Sequence, residues 1–377
     1  MTSPGTPLRR RRMIWGAAIA AAVLLLAGGT FVVTKLVRAR YAVPTADLFT
    51  PGPSAPGESA APSAEPSPPP GEGITGPLNV LIVGVDTRVN NPGWQPHADA
   101  VLILHVTAGL DKAYLTSLPR DLLVDAPAFG PARFDGGRLK LTESMAYGSR
   151  VPGGNQAKPE QGFQLVAATV SRYTGIKRFD AGAMLTFGGF DKLVDTMGGV
   201  ELTIDQRVAS IHRRPDGTHR EGNPSGPGYV GPQMVYEPGL RKLTGWQALD
   251  YARQRYLSGG DYTRQRHQRQ LLKALIQQAV SSGLAGDPAR LDATLRALGR
   301  TLVFDGRGRT PIDYAYALRD LKPEAVTLVG LPGAGVGRGG DYQGEQLTAP
   351  GRKYLTELAA GRVEAYVNAH PEVVDKR

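Results

Sequence analysis

The folded part of the sequence begins with nearly continuous apolar runs of strand length. They are rich in Val, Ile and Leu and occupy residues 78–85, 100–107 and 113–118. Such runs predict central strands, because a strand covered on both faces carries apolar residues at successive positions. Helical spacing follows at residues 162–173 and 189–197, and short strand patterns at residues 200–204 and 325–331. We therefore expect an α/β fold, a single α/β/α layered domain with a mixed central sheet, preceded by one transmembrane helix.

The predicted transmembrane helix is a long uncharged segment before this domain. Residues 13–34 consist mostly of Ala, Leu, Ile, Val and Phe, and a helix rising about 1.5 Å per residue needs about 20 residues to span the hydrocarbon core. Arginines occupy residues 9–12 and further basic residues follow the segment, so the charge bias only slightly favours a cytoplasmic N-terminus. We expect a cytoplasmic basic tail at residues 1–12 and a single-pass protein of the cell membrane. A cleaved signal peptide is the alternative, although its apolar region would be shorter.

Residues 35–77 form a linker rich in Pro, Gly and Ser. From residue 44 onward the linker carries acidic residues but no Lys or Arg. This composition cannot bury a core, so we expect a partly extended spacer that holds the domain away from the bilayer. Residues 78–370 show no comparable break, which predicts one extracytoplasmic catalytic domain, followed by a tail at residues 371–377.

The amino-acid composition limits which metal ligands, nucleophiles and binding partners are possible. Cysteine is absent, which excludes disulfides, thiolate zinc sites and cysteine nucleophiles. Any metal must therefore bind to oxygen or imidazole ligands. The formal net charge of +10 suits an anionic partner, which could be a nucleic acid, an anionic membrane surface or a phosphorylated substrate.

Charged residues stand at the ends of the first three predicted strands. Asp86 ends the first strand and Asp99 begins the second, so both carboxylates reach one edge of the sheet if these strands are antiparallel neighbours. A turn at residues 109–112 reverses the chain, so Arg120 arrives at the same edge after the third strand. Carboxylates suit Mg²⁺ and the arginine fork suits phosphate oxygens, which favours a site for a cation and a phosphate. The alternative is that these are solvated charges at strand ends.

A basic segment leads into an amphipathic helix. Residues 252–255 contribute two arginines, and the helix begins near Asp261, which can cap it. Arg264 and Gln268 align with the apolar stripe of this helix, so both side chains point towards its buried face. A buried arginine needs an anionic partner, either an internal aspartate or a substrate phosphate. A basic helix is otherwise typical of a solvated face.

At these positions the sequence resembles the LytR-CpsA-Psr (LCP) family of cell-envelope phosphotransferases. The resemblance covers residues 78–370 and the N-terminal anchor, and it rests on the order of these motifs: Leu81-Ile82-Val83-Gly84-Val85-Asp86-Thr87-Arg88, Asp99, Ser117-Leu118-Pro119-Arg120-Asp121, residues 187–199, Ala252-Arg253-Gln254-Arg255 and residues 261–268. It implies an enzyme that moves a glycan phosphate from a polyprenyl-pyrophosphate carrier onto a peptidoglycan hydroxyl. The glycan implied is a teichoic acid, an arabinogalactan or a capsule polymer.

The resemblance also implies the residues of the site. Asp86 and Asp99 would hold Mg²⁺ or Mn²⁺. The pyrophosphate would bind to Arg120, Arg253, Arg255, Arg264 and Gln268, with Lys140 as an additional basic ligand. Two histidines depart from the family pattern: His97 and His267 stand where arginine is common, so the charge at both points is expected to depend on pH. The lipid tail is expected in an apolar groove under the helices near residues 162–173 and 268–280.

Two other classes of function stay open. A polyprenyl-pyrophosphate phosphatase or pyrophosphatase would use the same site with water as the nucleophile. A non-catalytic regulator or nucleic-acid binder would need a cytoplasmic domain, whereas the transferase hypothesis predicts an exported domain and no nucleic-acid partner.

Two further patterns are discounted. Residues 335–340 match a dinucleotide-binding motif but lack the helix and the acidic residue that should follow, so we expect a loop. Residues 210–239, which include His212 and His219, are rich in Gly and Pro. They predict a surface loop, available to an acceptor glycan, in preference to a zinc site.

Overall fold

The computed structural model describes residues 47–50, 71–86, 91, 93–281, 301–337 and 339–375. The predicted basic tail and transmembrane helix, residues 1–34, lie outside this part of the chain, as does most of the predicted linker. Among the helices within it, none combines the length and the apolar character that a membrane crossing requires.

Strands and helices alternate along the described residues. The strands are β1 (Leu78–Asp86), β2 (His97–Val106), β3 (Ala113–Leu118), β4 (Leu123–Ala126), β5 (Gly137–Lys140), β6 (Ala181–Thr186), β7 (Val200–Ile204), β8 (Val208–Ala209), β9 (Glu221–Gly222), β10 (Tyr229–Val230), β11 (Val235–Tyr236), β12 (Gly239–Leu243), β13 (Leu302–Asp305), β14 (Val326–Gly330), β15 (Gly333–Val336) and β16 (Gly344–Leu347). The helices are α1 (Leu141–Gly148), α2 (Pro159–Thr174), α3 (Phe187–Thr196), α4 (Gly245–Arg253), α5 (Gly260–Ser281), α6 (Pro311–Ala317), α7 (Ala349–Ala359) and α8 (Val363–Ala369). Every segment predicted from the periodicity is present, with bounds that shift by a few residues.

The central sheet has six strands in the order β13–β6–β1–β2–β3–β14. The first three strands of the chain pair antiparallel, as predicted. β6 joins β1 and β14 joins β3 in parallel, while β13 is antiparallel to β6. The prediction of a mixed sheet is therefore confirmed.

Both faces of this sheet are covered, and the alternation in β2 shows how. Val101 and Ile103 belong to one apolar core, whereas Leu102 and Leu104 belong to the other. Helices α1, α2, α7 and α8 contribute to the first core, and α3, α4, α5 and α6 contribute to the second. The predicted α/β/α layering is confirmed. The single lipid groove predicted under residues 162–173 and 268–280 is wrong, because α2 and α5 lie on opposite faces.

Segments on both sides of the predicted domain pack against it. Leu48, within the predicted linker, is fully buried in the first core. Phe49 packs edge-on against Phe163, with ring centroids 5.9 Å apart. In the predicted tail, Asp375 accepts hydrogen bonds from the buried Arg269 at 2.6 and 2.8 Å. The folded unit therefore extends beyond residues 78–370 at both ends.

The glycine-rich motif at residues 335–340 belongs to a β-hairpin rather than to a simple loop. β15 and β16 pair antiparallel, with Val336 opposite Gly344. A Cβ at Gly344 would lie 2.6 Å from the carbonyl oxygen of Asp121, so the hairpin approaches the end of β3 too closely for any other residue. Residues 210–239, predicted as a loop, contain the short strands β9, β10 and β11. β9 pairs with β10, and β11 pairs with β8.

Candidate functional site

Asp99 occupies a β-bulge between the first two strands. Consecutive residues of β1 pair with Ala98 and Ala100, so Asp99 is the extra residue of β2 at this point. The bulge explains why Ala98 packs into one core and Ala100 against the other, although they are two positions apart. Bulges re-aim side chains and are frequent beside active sites. This one lies at the sheet edge where β1 ends at Asp86, which pairs with His97.

The end of β3 brings Arg120 to this edge, as predicted. Arg120 Nη1 forms an ion pair with Asp99 Oδ1, and Arg120 Nε donates to Asp121 Oδ1 at 3.3 Å. The side chain of Arg120 is 19% exposed, and Asp121 is buried. The guanidinium is therefore held between two carboxylates in a partly desolvated place, where charge interactions are stronger than in water.

The corner between α4 and α5 supplies two more arginines. Arg255 Nη2 donates to Asp121 Oδ2 at 3.4 Å, and its Nε lies 3.7 Å from Asp261 Oδ1. Arg264 Nε donates to the same Asp261 oxygen at 2.8 Å, and its Nη1 donates to the backbone carbonyl oxygen of Asp99 at 2.8 Å. Arg264 is 3% exposed, which confirms that it faces inward. Of the two partners left open by the sequence, the structure shows an internal aspartate.

These contacts close into a ring of alternating charge, which we call the charge ring. Its members, in order, are Asp99, Arg120, Asp121, Arg255, Asp261 and Arg264, and the last returns to the carbonyl oxygen of Asp99. The ring joins β2, the end of β3, the turn after α4 and the first turn of α5. Arginine forks match phosphate oxygens, so three arginines in one ring suit an anion with several oxygens, such as a diphosphate.

Other predicted site residues lie on the elements that carry the ring. Asp86 ends β1, and Trp94 Nε1 donates to its backbone carbonyl oxygen at 3.1 Å. Gln268 lies on α5, one turn after the ring, and its Nε2 donates to the carbonyl oxygen of Ala252 at 3.4 Å. Ala252 directly precedes Arg253, the last residue of α4. Asp86, Arg253 and Gln268 thus lie on three elements, β1, α4 and α5, that end or begin near the charge ring.

The positive charge of Arg253 affects Asp191, a partly buried aspartate on α3. Burial raises the pKa of Asp191 to about 6, and Asp195 adds to this rise, while the charges of Arg213 and Arg253 oppose it. Asp191 Oδ1 is buried and has no hydrogen-bond partner among the described residues. Burial and the charge of Arg253 also lower the pKa of His212. The charge around Arg253 therefore changes near pH 6, where Asp191 ionises.

A buried glutamate connects Lys140 to the charge ring. Glu345 is 9% exposed and accepts hydrogen bonds from the hydroxyls of Tyr262 at 3.0 Å and Tyr342 at 2.9 Å. Burial and the neighbouring Glu345 raise the pKa of both tyrosines, so their hydroxyls remain donors. Lys140 Nζ lies 5.0 Å from the centroid of the Tyr342 ring, within the range of a cation–π contact. The sequence does not reveal this cluster, because Glu345 lies in the glycine-rich hairpin.

The start of α5 differs from its prediction. The sequence predicts Asp261 as the helix cap, but α5 begins at Gly260 and Asp261 lies within the first turn. Its carboxylate accepts hydrogen bonds from the side chains of Arg264 at 2.8 Å and Gln265 at 3.0 Å. Asp261 therefore positions Arg264, the arginine that reaches β2. The capping pattern in the sequence does not predict this role.

His267, noted in the sequence as standing where arginine is common in the family, is part of the core. It is fully buried, its Nε2 lies 3.0 Å from Asp205 Oδ1, and its ring stacks on Tyr251 with centroids 4.4 Å apart. Burial raises the pKa of Asp205, but the hydrogen bond with His267 and the charge of Arg266 outweigh it and hold this pKa below its ordinary value. The contacts of His267 are with Tyr251 of α4 and with Asp205, the residue after β7, and not with a member of the charge ring.

The two aspartates at the sheet edge fit a hard divalent cation. No described residue donates a hydrogen bond to the carboxylate of Asp86, and one oxygen of Asp99 is engaged by Arg120. Mg²⁺ is commonly bound by one or two carboxylates together with waters and substrate phosphates. Over the described ranges no group of three or more His, Asp or Glu side chains could hold a metal. Asp86 and Asp99 are therefore the residues at this edge that would hold such a cation.

Known proteins share this architecture. Protein gbs0355 from Streptococcus agalactiae superposes with a TM-score of 0.59 at 22% identity, over 76% of this chain and 88% of that one, which shows the same fold. Cell wall biosynthesis protein LcpA of Corynebacterium glutamicum is 26% identical in an alignment of 304 positions that covers 72% of this chain and 53% of LcpA. The polyisoprenyl-teichoic acid–peptidoglycan teichoic acid transferase TagU of Enterococcus faecalis is 26% identical over 262 residues, 69% of this chain and 73% of TagU.

The chain spans about half the length of the first curated relatives it matches. The model of the LytR_cpsA_psr family matches residues 58–354. This range contains β1 to β16 and every member of the charge ring, and it covers well over half of the sequence. The resemblance seen in the motifs is thereby confirmed, and the protein belongs to the LytR_cpsA_psr family.

Proposed function

We propose that this protein transfers a phosphate-linked glycopolymer from a polyprenyl-pyrophosphate carrier onto peptidoglycan. The observation that carries the proposal is the charge ring, which gathers three arginines at the sheet edge where β1 ends at Asp86. The names of two relatives support it, since TagU is a teichoic acid transferase to peptidoglycan and LcpA is a cell wall biosynthesis protein. At 26% identity these names support the general role of a cell-wall glycopolymer ligase.

The charge ring suits phosphoryl transfer, in which positioning and charge neutralisation supply most of the acceleration. Each arginine of the ring is already oriented by a carboxylate before a substrate binds. We assign binding of the pyrophosphate to Arg120, Arg255 and Arg264, with Arg253, Gln268 and Lys140 around them. Pre-oriented arginines lower the entropy cost of fixing the diphosphate.

We further propose that Asp86 and Asp99 hold Mg²⁺ or Mn²⁺. Both residues lie on adjacent strands at the same edge, and the bulge aims Asp99 away from the regular alternation of β2. When bound, the cation neutralises negative charge on the pyrophosphate oxygens. Arg120 pairs with Asp99 and therefore couples the phosphate-binding arginines to the cation ligands.

In the proposed reaction, a peptidoglycan hydroxyl oxygen forms a bond to the phosphorus that carries the glycan. The bond between this phosphorus and the bridging oxygen breaks, and polyprenyl phosphate leaves with the electron pair. Arg255 and Arg264 stabilise the charge that develops on the leaving group. An aspartate of the charge ring takes the proton from the hydroxyl.

The lipid tail of the donor needs an apolar surface beside the ring. Ile82, Ala100 and Leu185 lie on neighbouring central strands yet are only partly buried, on the face covered by α3 and α5. Central strands of a layered domain normally bury such residues. We place the tail along this face. A transmembrane helix at residues 13–34, with the N-terminus in the cytoplasm, would keep the domain beside a lipid-bound donor outside the cell membrane.

A reconstituted reaction tests the proposal. Protein from residue 44 onward is incubated with Mg²⁺, a polyprenyl-pyrophosphate carrier bearing a labelled glycan, and peptidoglycan. We expect labelled peptidoglycan and polyprenyl phosphate in equal amounts. Asp99→Asn should abolish both products, while Arg178→Ala, at the opposite edge of the sheet, should leave them unchanged.

Two other outcomes would contradict the transferase. Free sugar phosphate without labelled peptidoglycan would identify a hydrolase that uses water as the nucleophile. Absence of any turnover, together with a C-terminal reporter that stays in the cytoplasm, would identify a regulator. An exported reporter is the result expected for a single-pass protein with its domain outside.

A further inference from the structure

An open cleft lies beside the loop that connects β1 and β2. Its volume is about 370 Å³, and its lining includes Gln95, Arg133, Arg150, Pro152 and Gln156. These residues come from the β1–β2 connection, the turn before β5 and the loop between α1 and α2. The cleft is therefore built by three separate loops and is distinct from the charge ring.

Both charged residues of the cleft lining are arginines, and both are held in place. Arg133 has a left-handed backbone (φ 49°), and its N–H donates to the carbonyl oxygen of Gly130 at 2.9 Å. A non-glycine residue rarely adopts this conformation, and such strain is concentrated at functional positions. The guanidinium carbon of Arg150 lies 4.1 Å from the centroid of the Tyr147 ring. Neither arginine forms an ion pair with a carboxylate in the described part of the chain.

The uncharged lining is rich in amide groups. Gln95 Oε1 is buried and has no hydrogen-bond partner among the residues that the structure describes, and its Nε2 reaches only the carbonyl oxygen of Gly93, at 3.4 Å. Gln156 adds a second side-chain amide. A buried polar atom without a partner loses free energy unless a ligand or water satisfies it. Amides that both donate and accept, beside two cations, match a ligand with hydroxyl groups and negative charge.

The cleft is tied to the candidate active site through the β1–β2 connection. Trp94, next to Gln95, donates through Nε1 to the backbone carbonyl oxygen of Asp86 at 3.1 Å. Asp86 in turn pairs with His97 at the start of β2. A substrate whose diphosphate lies at the sheet edge would therefore extend along this connection towards the cleft.

We propose that this cleft is a subsite for an anionic saccharide, in which Arg133 and Arg150 contact its phosphate or carboxylate and Gln95 and Gln156 contact its hydroxyls. As a specificity site of the reaction, this inference rests on the proposed function. Two sources have the required chemistry. One is the anionic glycan of the donor, and the other is the acceptor, whose peptide carries carboxylates. The cleft would select negatively charged polymers in the first case and orient peptidoglycan in the second.

A binding measurement without turnover tests the subsite. The protein from residue 44 onward is titrated, by calorimetry, with a short oligomer of glycerol phosphate, with a soluble muramyl peptide and with a neutral maltooligosaccharide. We expect one anionic probe to bind at least about tenfold more tightly than the neutral one. Arg133→Ala/Arg150→Ala should remove this difference, and Arg178→Ala, which deletes an exposed arginine at the opposite sheet edge, should retain it.

The two anionic probes distinguish the two sources. Preference for glycerol phosphate assigns the cleft to the donor, and the double variant should then raise the KM for donor with little change in kcat. Preference for the muramyl peptide assigns it to the acceptor, with the KM for peptidoglycan raised instead. Equal binding of all probes, or equal affinities of the double variant and the native protein, would overturn the subsite. Because binding is measured without turnover, this result stands apart from a failure of the transfer assay.

Discussion

Arg264 Nη1 donates to the backbone carbonyl oxygen of Asp99 at 2.8 Å, across 165 positions of sequence. Asp99 is the bulged residue of β2, so its carbonyl is free of the regular strand pairing and can accept from a side chain. Through this bond the first turn of α5 is fixed to the sheet edge. The same guanidinium also binds Asp261, so one buried side chain sets the position of both the bulge and the charge ring.

Replacing Arg264 should therefore affect stability and transfer together. Arg264→Lys cannot bind Asp261 and the Asp99 carbonyl with one planar fork, and we expect a loss of about 2–3 kcal/mol in the free energy of unfolding. Urea denaturation measures this change. Transfer should fall by at least about a hundredfold, since a misplaced ring no longer pre-orients the diphosphate. The control Arg319→Lys alters an exposed pair and should change neither quantity.

Glu345 should prove to be a positioning residue. Glu345→Gln keeps the shape of the side chain but converts two charge-assisted hydrogen bonds from Tyr262 and Tyr342 into neutral ones, a loss of about 1–2 kcal/mol in the free energy of unfolding. Because Lys140 lies over the Tyr342 ring, the KM for donor should rise more than kcat falls. Tyr342→Leu should likewise raise the KM for donor more than it lowers kcat. A kcat loss with an unchanged KM would contradict the positioning role.

Asp191 should make stability depend on pH. Its pKa in the folded protein is about 6, above the ordinary value of 3.8, because burial disfavours the charged form. The unfolded chain therefore loses this proton first, and the contribution of Asp191 to stability falls as pH rises from about 4 to about 6. Asp191→Asn should match the native free energy of unfolding at pH 4 and exceed it by about 1 kcal/mol above pH 6, after allowance for partial exposure, and its melting temperature should rise accordingly. Equal melting temperatures across this range would contradict the assignment.

The C-terminal residues should stabilise the domain. Asp375→Ala leaves the guanidinium of Arg269, which is 2% exposed, without its bidentate partner. We expect a loss of about 3 kcal/mol in the free energy of unfolding, seen in a thermal or urea transition. Asp320→Ala removes an 86% exposed partner of Arg319 and should cost less than about 0.5 kcal/mol. Similar losses for the two variants would contradict a folded unit that includes residue 375.

Periodicity predicted four strands of the central sheet, β1, β2, β3 and β14, because each carries its own apolar signal, but it did not predict β6 and β13. β1, β2 and β3 are apolar on both faces, so their existence and their antiparallel order could be read from the runs and turns. The arrival of Arg120 at the edge then followed from geometry alone. The bulge at Asp99 could not be read in this way, since one extra residue in a strand of mixed Ala, Asp and Val leaves no distinct pattern.

The pairings of α5 show why the rest of the site needed a structure. This helix buries Arg264 against Asp261 of its own first turn, but it buries His267 and Arg269 against Asp205 and Asp375, which are distant in sequence. Sequence shows which residues are basic, but the partner that neutralises each one is a tertiary property. The partner of His267, Asp205, lies after β7, so the sequence around the histidine does not show that it is buried in the core. For the same reason, Glu345 and the anchoring of Leu48 gave no signal.

The claim that the charge ring binds a diphosphate is tested most directly by calorimetry. The protein is titrated with a short prenyl pyrophosphate in the presence of Mg²⁺. Loss of one charge-assisted contact costs about 1.5–3 kcal/mol, so Arg255→Ala and Asp99→Asn should each weaken the affinity at least about tenfold. Arg178→Ala should bind like the native protein. Native affinity in both Arg255→Ala and Asp99→Asn would contradict the account.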